Sequence, residues 1–110
     1  MIARCLLIAA ACVAIAEMAV PAGATSGWGC FQVINVRSDD SLNMRAKPSA
    51  TSAVVDELGP RRHGIIAEDG ACKPVGSPPS RQWCPIKHFN GDRTTRGWVR
   101  MIYLAPSECP

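Results

Sequence analysis

Cysteines are the first residues of this 110-residue chain that could do chemistry, because thiols pair, bind metals or act as nucleophiles. Of its six cysteines, Cys5 and Cys12 lie in the predicted leader described below, and four remain in the mature chain. They are Cys30, Cys72, Cys84 and Cys109. Four cysteines allow three pairings. Cys30 and Cys109 lie near the two ends of the domain, and chain ends are neighbours in many compact domains, so we predict that they pair. Cys72 and Cys84 then close a local loop, and the two disulfides staple a domain with a small core.

A zinc site is the competing interpretation of these side chains. Cys72, Cys84, His63 and His88 would together offer four ligands to a tetrahedral ion. The spacing argues against this, because the chain has no Cys-x-x-Cys or His-x-x-x-His pair to preorganise a site. We therefore expect two solvated loop histidines and no metal or other cofactor.

Catalysis by a cysteine would require a free thiol beside a base. His63 and His88 are the two histidines in the chain that could supply that base, and disulfide formation would remove the thiol. A redox role is also disfavoured, since the Cys-x-x-Cys motif that lowers a thiol pKa is missing. We expect a protein that is not an enzyme.

The N-terminal residues 1–24 predict a cleaved signal peptide. Arg4 precedes an apolar stretch from Cys5 to Ala16, which is shorter than the 18 to 20 or so residues needed to cross the hydrocarbon layer. Ala22-Gly23-Ala24 fits the small-residue cleavage rule, and a site after Ala16 is the alternative. A lipid anchor on Cys12 is a rival interpretation, which the lack of a Leu three residues upstream disfavours.

The mature chain would be residues 25–110, one domain in the periplasm or outside the cell. Its net charge stays at +3, because the leader holds one basic and one acidic residue. The basic residues are scattered among acids along the chain, which favours loose attraction to anionic cell-wall material over nucleic acid. We expect a monomer without a membrane span, whose partner is peptidoglycan or an envelope or secreted protein.

Short segments rich in β-branched and aromatic residues indicate strands throughout the mature chain. They are predicted at residues 30–36, 42–45, 54–58, 64–68, 83–89 and 97–100. Asn90-Gly91 is the strongest hairpin signal, and the tract between Cys72 and Cys84 is too rich in Pro, Gly and Ser for regular structure. No long segment has the 3.6-residue period of a helix, so the predicted class is all-β, a barrel or a sandwich.

Two strings within these strands carry a family resemblance. The first is Leu42-Asn43-Met44-Arg45 with Pro48 behind it, and the second is Gly97-Trp98-Val99 followed by Tyr103-Leu104. Val54-Val55, Leu58 and Gly64 occupy the places between them. In this order they resemble the bacterial Src-homology-3 domain of exported and cell-wall-associated proteins. The resemblance covers about residues 33–104 and implies a small SH3-like barrel within residues 25–110.

The resemblance also bears on the cysteines and on several core positions. Small exported members carry a cysteine before the distal turn and another directly after a Trp, as Cys72 and Trp83-Cys84 do, which supports the predicted pairing. Gly97 is expected to let a second backbone approach closely. Trp98 and Tyr103 are equally suited to packing across the barrel, since large aromatic residues dominate small cores.

Fold analogy predicts a binding groove between the first long loop and the distal loop of the barrel, for peptidoglycan peptides or an envelope protein. The candidate contact residues are Arg45, Trp83, Arg96, Trp98 and Tyr103. Aromatic residues supply contact area, and arginines recognise carboxylates, although Arg45 could instead pair with Asp56 or Glu57. The alternative function is a secreted inhibitor or host-directed protein that acts through the loop from Cys72 to Cys84.

Overall fold

The computed structural model describes residues 29–110, so the predicted signal peptide lies outside the described residues. Strands make up 49% of these residues and helix 4%, so nearly all of the regular structure is β. The strands are β1 (Gly29–Val33), β2 (Leu42–Arg45), β3 (Val54–Leu58), β4 (Ile65–Glu68), β5 (Trp83–Asn90), β6 (Arg93–Arg100) and β7 (Leu104–Glu108), and a short 3-10 helix (Met101–Tyr103) joins β6 to β7. Within residues 29–110, no helix has both the length and the apolar composition required to span a membrane.

The seven strands form one antiparallel sheet, which confirms the predicted all-β class. Their order is β3-β2-β6-β5-β4-β1-β7. The hydrogen-bonded ladder ends at β3 on one side and at β7 on the other, so the sheet is open and not the closed barrel that we predicted. Pro106 contributes no N–H to a further ladder beyond β7, and a bulge interrupts the register between β2 and β3.

The open sheet bends around a single core. Leu58 on edge strand β3 and Leu104 on edge strand β7 belong to the same buried hydrophobic cluster. Between the edges, the paired residues Cys84 and Val99 are both fully buried. Both ends of the sheet therefore cover the same interior, although their backbones do not pair.

The hairpin of β5 and β6 forms the longest ladder, running from Trp83 opposite Arg100 to Asn90 opposite Arg93. Gly91 and Asp92 form its two-residue turn. Gly91 has a φ of 64°, and a type II′ hairpin turn requires glycine at this first central position. The hairpin predicted from Asn90-Gly91 is confirmed, with the turn one residue later than the dipeptide suggested.

Gly97 lies where β6 passes closest to β2. A Cβ atom at this position would be 2.7 Å from the carbonyl oxygen of Arg45 and 3.0 Å from the Met44 side chain. No larger residue fits without moving a backbone group, which confirms the close approach predicted for Gly97. The glycine therefore sets the distance between β2 and β6.

Both predicted disulfides are present. Cys30 on β1 bonds Cys109 just beyond β7, across 79 residues of chain, and Cys72 bonds Cys84 at the start of β5. Two structural disulfides are typical of an oxidising, extracytoplasmic environment.

The segment between Cys72 and Cys84 is an irregular loop, as predicted, and its base is held by hydrogen bonds. Lys73 and Trp83 exchange two backbone hydrogen bonds of 2.8 and 2.7 Å. The side-chain amide of Gln82 donates to the Pro74 carbonyl at 2.9 Å. Together with the disulfide, these contacts restrain both ends of the loop.

Candidate functional site

Four of the five predicted contact residues share the outer face of the sheet. Trp98 on β6 pairs with Arg45 on β2, and Trp83 on β5 pairs with Arg100 on β6. Directly paired side chains of an antiparallel ladder point to the same side. Alternate residues of one strand do so as well, so Arg96, Trp98 and Arg100 project together, away from the core.

The same outer face gathers basic residues that are distant in the sequence. They are Arg45, Lys73, Lys87, Arg96 and Arg100. Lys87 pairs with Arg96 across β5 and β6, and the Lys73 ammonium lies 5.9 Å from the centroid of the Trp98 ring. Outward positions recur about every 6.7 Å along a strand and about every 4.8 Å between strands. Basic residues that are scattered along the sequence thus form one basic surface in the fold, and this surface also carries the tryptophans Trp83 and Trp98.

A groove at one end of this face brings together three predicted residues, Arg45, Trp83 and Tyr103. We call it the arginine groove, and its volume is about 380 Å³. It is lined by Asn35, Val36, Arg37, Asp40, Ser41, Leu42, Asn43, Arg45, Ala50, Trp83, Arg100 and Tyr103. Three arginines and one carboxylate line it, so the groove is suited to an anionic ligand.

Two arginines of the groove are held in place by backbone carbonyl groups. Arg45 Nη1 donates to the Ser52 carbonyl at 3.0 Å, and Arg100 Nη1 donates to the Ser80 carbonyl at 3.0 Å. Among the hydrogen bonds of residues 29–110, the other N–H groups of both guanidinium groups remain available. Arg45 therefore does not use Asp56 or Glu57 as its partner, the alternative considered from the sequence.

Trp83 is a largely structural aromatic residue. It is 9% exposed, and the Arg100 guanidinium lies 4.9 Å from its ring centroid, within the range of a cation–π contact. This contact and the hydrogen bond to Ser80 both hold the guanidinium group of Arg100, so Trp83 shapes the groove by positioning an arginine. Trp98, in contrast, is only half-buried.

One wall of the arginine groove depends on Asn35, which sequence reasoning missed. Asn35 has a φ of 60°, a left-handed conformation that Asn tolerates better than most residues. Its side-chain amide donates to the Ile102 carbonyl at 2.9 Å, and the Ile34 N–H donates to the Tyr103 carbonyl at 2.9 Å. The turn before Arg37 is thereby fastened to the 3-10 helix that carries Tyr103.

Arg37 and Arg100 were also missed. Arg100 could have been found from the sequence, because it follows Arg96 and Trp98 at the two-residue spacing of one strand face. Arg37 gave no such signal, since it lies in a turn. In the fold its guanidinium pairs with Asp39 at 2.9 Å on the exposed rim of the groove.

Arg96 and Trp98, the other two predicted residues, line a second groove. We call it the Trp98 groove, and its volume is also about 380 Å³. It is lined by Ala46, Asp69, Gly70, Ala71, Lys73, Pro85, Arg96, Gly97 and Trp98. The five predicted residues are thus divided between two grooves, which adjoin where Arg45 pairs with Trp98.

His88 is buried on β5, so the prediction of a solvated loop histidine is wrong for this residue. It is 2% exposed. Its Nδ1 lies 2.8 Å from the Asp56 carboxylate, and its Nε2 contacts the His63 carbonyl oxygen. Both ring nitrogens therefore have a partner inside the fold. His63 lies in the loop before β4, half-buried, with Nδ1 2.8 Å from the Gly64 carbonyl oxygen.

The four proposed zinc ligands do not form a metal site. Cys72 and Cys84 bond each other, and His88 is engaged by Asp56 and His63. In the described part of the chain, no group of three or more His, Cys, Asp or Glu side chains is arranged to hold a metal ion.

The contact between Asp56 and His88 predicts a loss of stability in acid. Burial raises the pKa of Asp56, but hydrogen bonds from His88, the Glu57 backbone N–H and Thr95, with the charge on His88, outweigh burial and hold that pKa below 3.8. A group whose pKa is lowered on folding stabilises the fold fully above its unfolded pKa. That contribution disappears as the pH falls through the folded pKa.

We therefore expect the free energy of unfolding to fall with decreasing pH below 3.8, and to fall less steeply in an Asp56→Asn variant. Denaturant unfolding at a series of pH values measures both slopes. Equal slopes in the two proteins would show that Asp56 does not carry this pH dependence.

No protein-family model, curated protein or solved structure matches this chain. The fold and the site by themselves define a disulfide-linked, all-β domain with two adjoining grooves on a basic outer face.

Proposed function

We propose that this protein is an exported, non-catalytic binding module whose arginine groove takes carboxylate-bearing peptides of peptidoglycan. The observation that carries the proposal is the pair Arg45 and Arg100. Both line one groove, and each is held through a single nitrogen by a backbone carbonyl group. A guanidinium fixed in this way offers its remaining N–H groups to a planar carboxylate without a further loss of side-chain freedom.

The remaining lining suits a peptide. Tyr103 and the edge of Trp83 provide apolar contact area, and Asn43 and Ser41 offer hydrogen-bonding groups. Stem peptides of peptidoglycan contain several free carboxylates, which complement a groove with three arginines. An extended acidic segment of an envelope protein has the same chemistry and is the related candidate.

Export and a wall-associated role have independent support. The predicted leader at residues 1–24 and the two disulfides favour the periplasm or the extracellular space. The resemblance to the bacterial Src-homology-3 domain favours a wall-associated role. Arg45 from its first string and Tyr103 from its second both line the arginine groove.

A non-catalytic role is supported by the state of the cysteines. Cys30, Cys72, Cys84 and Cys109 are all in disulfides, so none of the four offers the thiol that the nucleophile hypothesis required.

Co-sedimentation of the exported, oxidised protein with purified peptidoglycan sacculi tests the proposal. We expect binding that persists at physiological salt and falls at least tenfold in an Arg45→Ala/Arg100→Ala double variant, because charge-assisted hydrogen bonds contribute about 1.5–3 kcal/mol each. Arg93→Ala is the matched control. It removes the same type of charge from an exposed position at the hairpin end of β6 and lies outside both grooves.

A salt series separates groove binding from general attraction. If modest salt abolishes binding, or if Arg93→Ala weakens it as much as the Arg45→Ala/Arg100→Ala variant does, the interaction reflects net charge alone and the proposal fails. If no sacculi are bound at all, peptidoglycan is excluded, and crosslinking in the envelope becomes the search for a protein partner.

The inhibitor hypothesis is the second candidate, and the restraint of the Cys72 to Cys84 loop favours it. Beyond the base of the loop, the Ile102 N–H donates to the Pro79 carbonyl at 3.1 Å, and Arg100 donates to Ser80. Val75 projects from this restrained loop and is 85% exposed. A loop held before binding loses little entropy on binding.

Shortening the loop at residues 75–77 separates the two candidates, because it leaves in place the Pro79 and Ser80 carbonyl groups that bind Ile102 and Arg100. The inhibitor hypothesis predicts loss of partner binding, whereas binding in the arginine groove should change by less than threefold.

A further inference from the structure

We propose that the Trp98 groove is a second binding site and that its ligand is an acidic sugar, a pyranose ring carrying a carboxylate, within an anionic glycan. The site is distinct from the arginine groove. Its volume of about 380 Å³ is at the lower end of the range for ligand pockets, which suits one or two sugar rings.

The shape of the groove comes from small residues beside one large aromatic ring. Gly70, Ala71 and Gly97 line it together with the half-buried Trp98. Gly97 cannot be replaced by a larger residue, because a Cβ there would meet the Arg45 carbonyl oxygen at 2.7 Å. A flat apolar wall next to a shallow depression is the shape that the apolar face of a sugar ring complements.

The polar groups of the groove match the rest of an acidic sugar. Arg96 is exposed at the groove, where its planar guanidinium can form paired hydrogen bonds with a carboxylate. Asp69, also exposed on the lining, accepts hydrogen bonds from hydroxyl groups. Lys87 pairs with Arg96 across the sheet and increases the positive potential on this side.

Lys73 controls access to the ring of Trp98. Its ammonium lies 5.9 Å from the ring centroid, at the outer limit of a cation–π contact, where the attraction is weak. An arriving sugar can displace this flexible side chain at small cost and receive a hydrogen bond from the same ammonium group. Lys73 is therefore a ligand-contacting residue and not a permanent cover.

The geometry favours a glycan over a single-stranded nucleic acid. Nucleic-acid strands bind where successive bases stack on successive aromatic side chains. Here the second tryptophan of the face, Trp83, is 9% exposed and lies under Arg100. Among residues 29–110, Trp98 is therefore the one open tryptophan ring on this face. The Asp69 carboxylate on the groove lining is suited to accept hydrogen bonds from sugar hydroxyl groups, which are plentiful on a glycan.

Calorimetric titration with an oligogalacturonate tests the inference, with a neutral maltooligosaccharide of the same length and an oligo(dT) strand as comparison probes. We expect the acidic sugar to bind at least tenfold more tightly than either comparison probe. Trp98→Ala should reduce the affinity for the oligogalacturonate at least tenfold, and Trp98→Phe should retain part of that affinity. Arg96→Ala should reduce both the affinity for the oligogalacturonate and its dependence on salt concentration. Arg93→Ala should bind like the wild type.

Three results would overturn the inference. They are unchanged affinity in Trp98→Ala, an effect of Arg96→Ala no larger than that of Arg93→Ala, and tighter binding of oligo(dT) than of the oligogalacturonate. If Trp98→Ala does not fold, as judged by circular dichroism, the Trp98→Phe and Arg96→Ala results decide the question.

The two binding proposals fail independently. Arg45→Ala/Arg100→Ala should weaken sacculus binding at least tenfold and leave the oligogalacturonate affinity within threefold of the wild type. Loss of both interactions in that double variant would mean that the two grooves are one site and would overturn the second-site inference.

Discussion

Replacing both Cys30 and Cys109 with alanine is expected to lower the free energy of unfolding by about 4.5 kcal/mol. The disulfide closes 79 residues of chain, and the expected loss is the loop entropy that the unfolded chain regains when the crosslink is removed. For a domain with a small core, a loss of this size is a large part of the total stability. Equilibrium unfolding in denaturant, with the Cys72–Cys84 disulfide kept intact, measures it.

The matched comparison is the Cys72→Ala/Cys84→Ala variant. Its disulfide spans 12 residues, so the chain-entropy estimate is smaller, about 3 kcal/mol. The alternative is that pairing between β1 and β7 holds the chain ends together even without the disulfide. This ladder runs from Gly29 opposite Glu108 to Val33 opposite Leu104. A loss of less than 1 kcal/mol or so from the Cys30 and Cys109 variant would support that explanation over ours.

Asp56→Ala is expected to destabilise the fold by about 2 kcal/mol, because it leaves the buried ring of His88 without one of its hydrogen-bond partners. His88 is 2% exposed, and its Nδ1 lies 2.8 Å from the Asp56 carboxylate. The pair joins edge strand β3 to β5, which lies three places away in the sheet order. It therefore helps to hold the bend that encloses the core.

Glu57→Ala is the control for this prediction. Glu57 follows Asp56 on the same strand, but its side chain is exposed and accepts a hydrogen bond from Ser41 at 2.9 Å. A loss below 1 kcal/mol is expected, as for other exposed polar contacts. A double-mutant cycle of Asp56→Ala with His88→Ala then isolates the pair. A coupling energy near zero would mean that Asp56 acts through something other than His88.

The two grooves give the binding proposals a common structural basis. They adjoin where Arg45 pairs with Trp98, so a peptide in one groove and a sugar ring in the other would lie on the same outer face. A polymer that carries both carboxylated peptides and sugars could then contact both. The variants proposed for each groove test this arrangement one site at a time.

Local patterns in the sequence determined the strands, the hairpin and the disulfide pairing. The segments 42–45 and 54–58 were predicted with their observed bounds, because alternation and β-branched residues report directly on strand formation. The hairpin followed from Gly91, whose positive φ only a few residue types tolerate. The disulfides followed from the positions of the cysteines along the chain, with Cys30 and Cys109 near its two ends.

Pairing between strands that are distant in the sequence decided whether the sheet closes and which side chains share its outer face. Whether the sheet closes depends on contacts between its edge strands β3 and β7, which no local pattern reports. The register of β2, β6 and β5 placed Arg45, Trp98 and Arg96 on one face and turned scattered basic residues into a continuous surface.

The environment of His88 depends most clearly on the tertiary structure. The residues beside His88 in the sequence gave no sign of its contact with Asp56, which lies 32 residues away and meets His88 only because the sheet bends. Propensity and patterning act over a few residues, whereas the contact between Asp56 and His88 and a groove need side chains from separate strands in one register. The sequence by itself therefore determined the elements and the covalent links, and the tertiary structure decided which side chains meet.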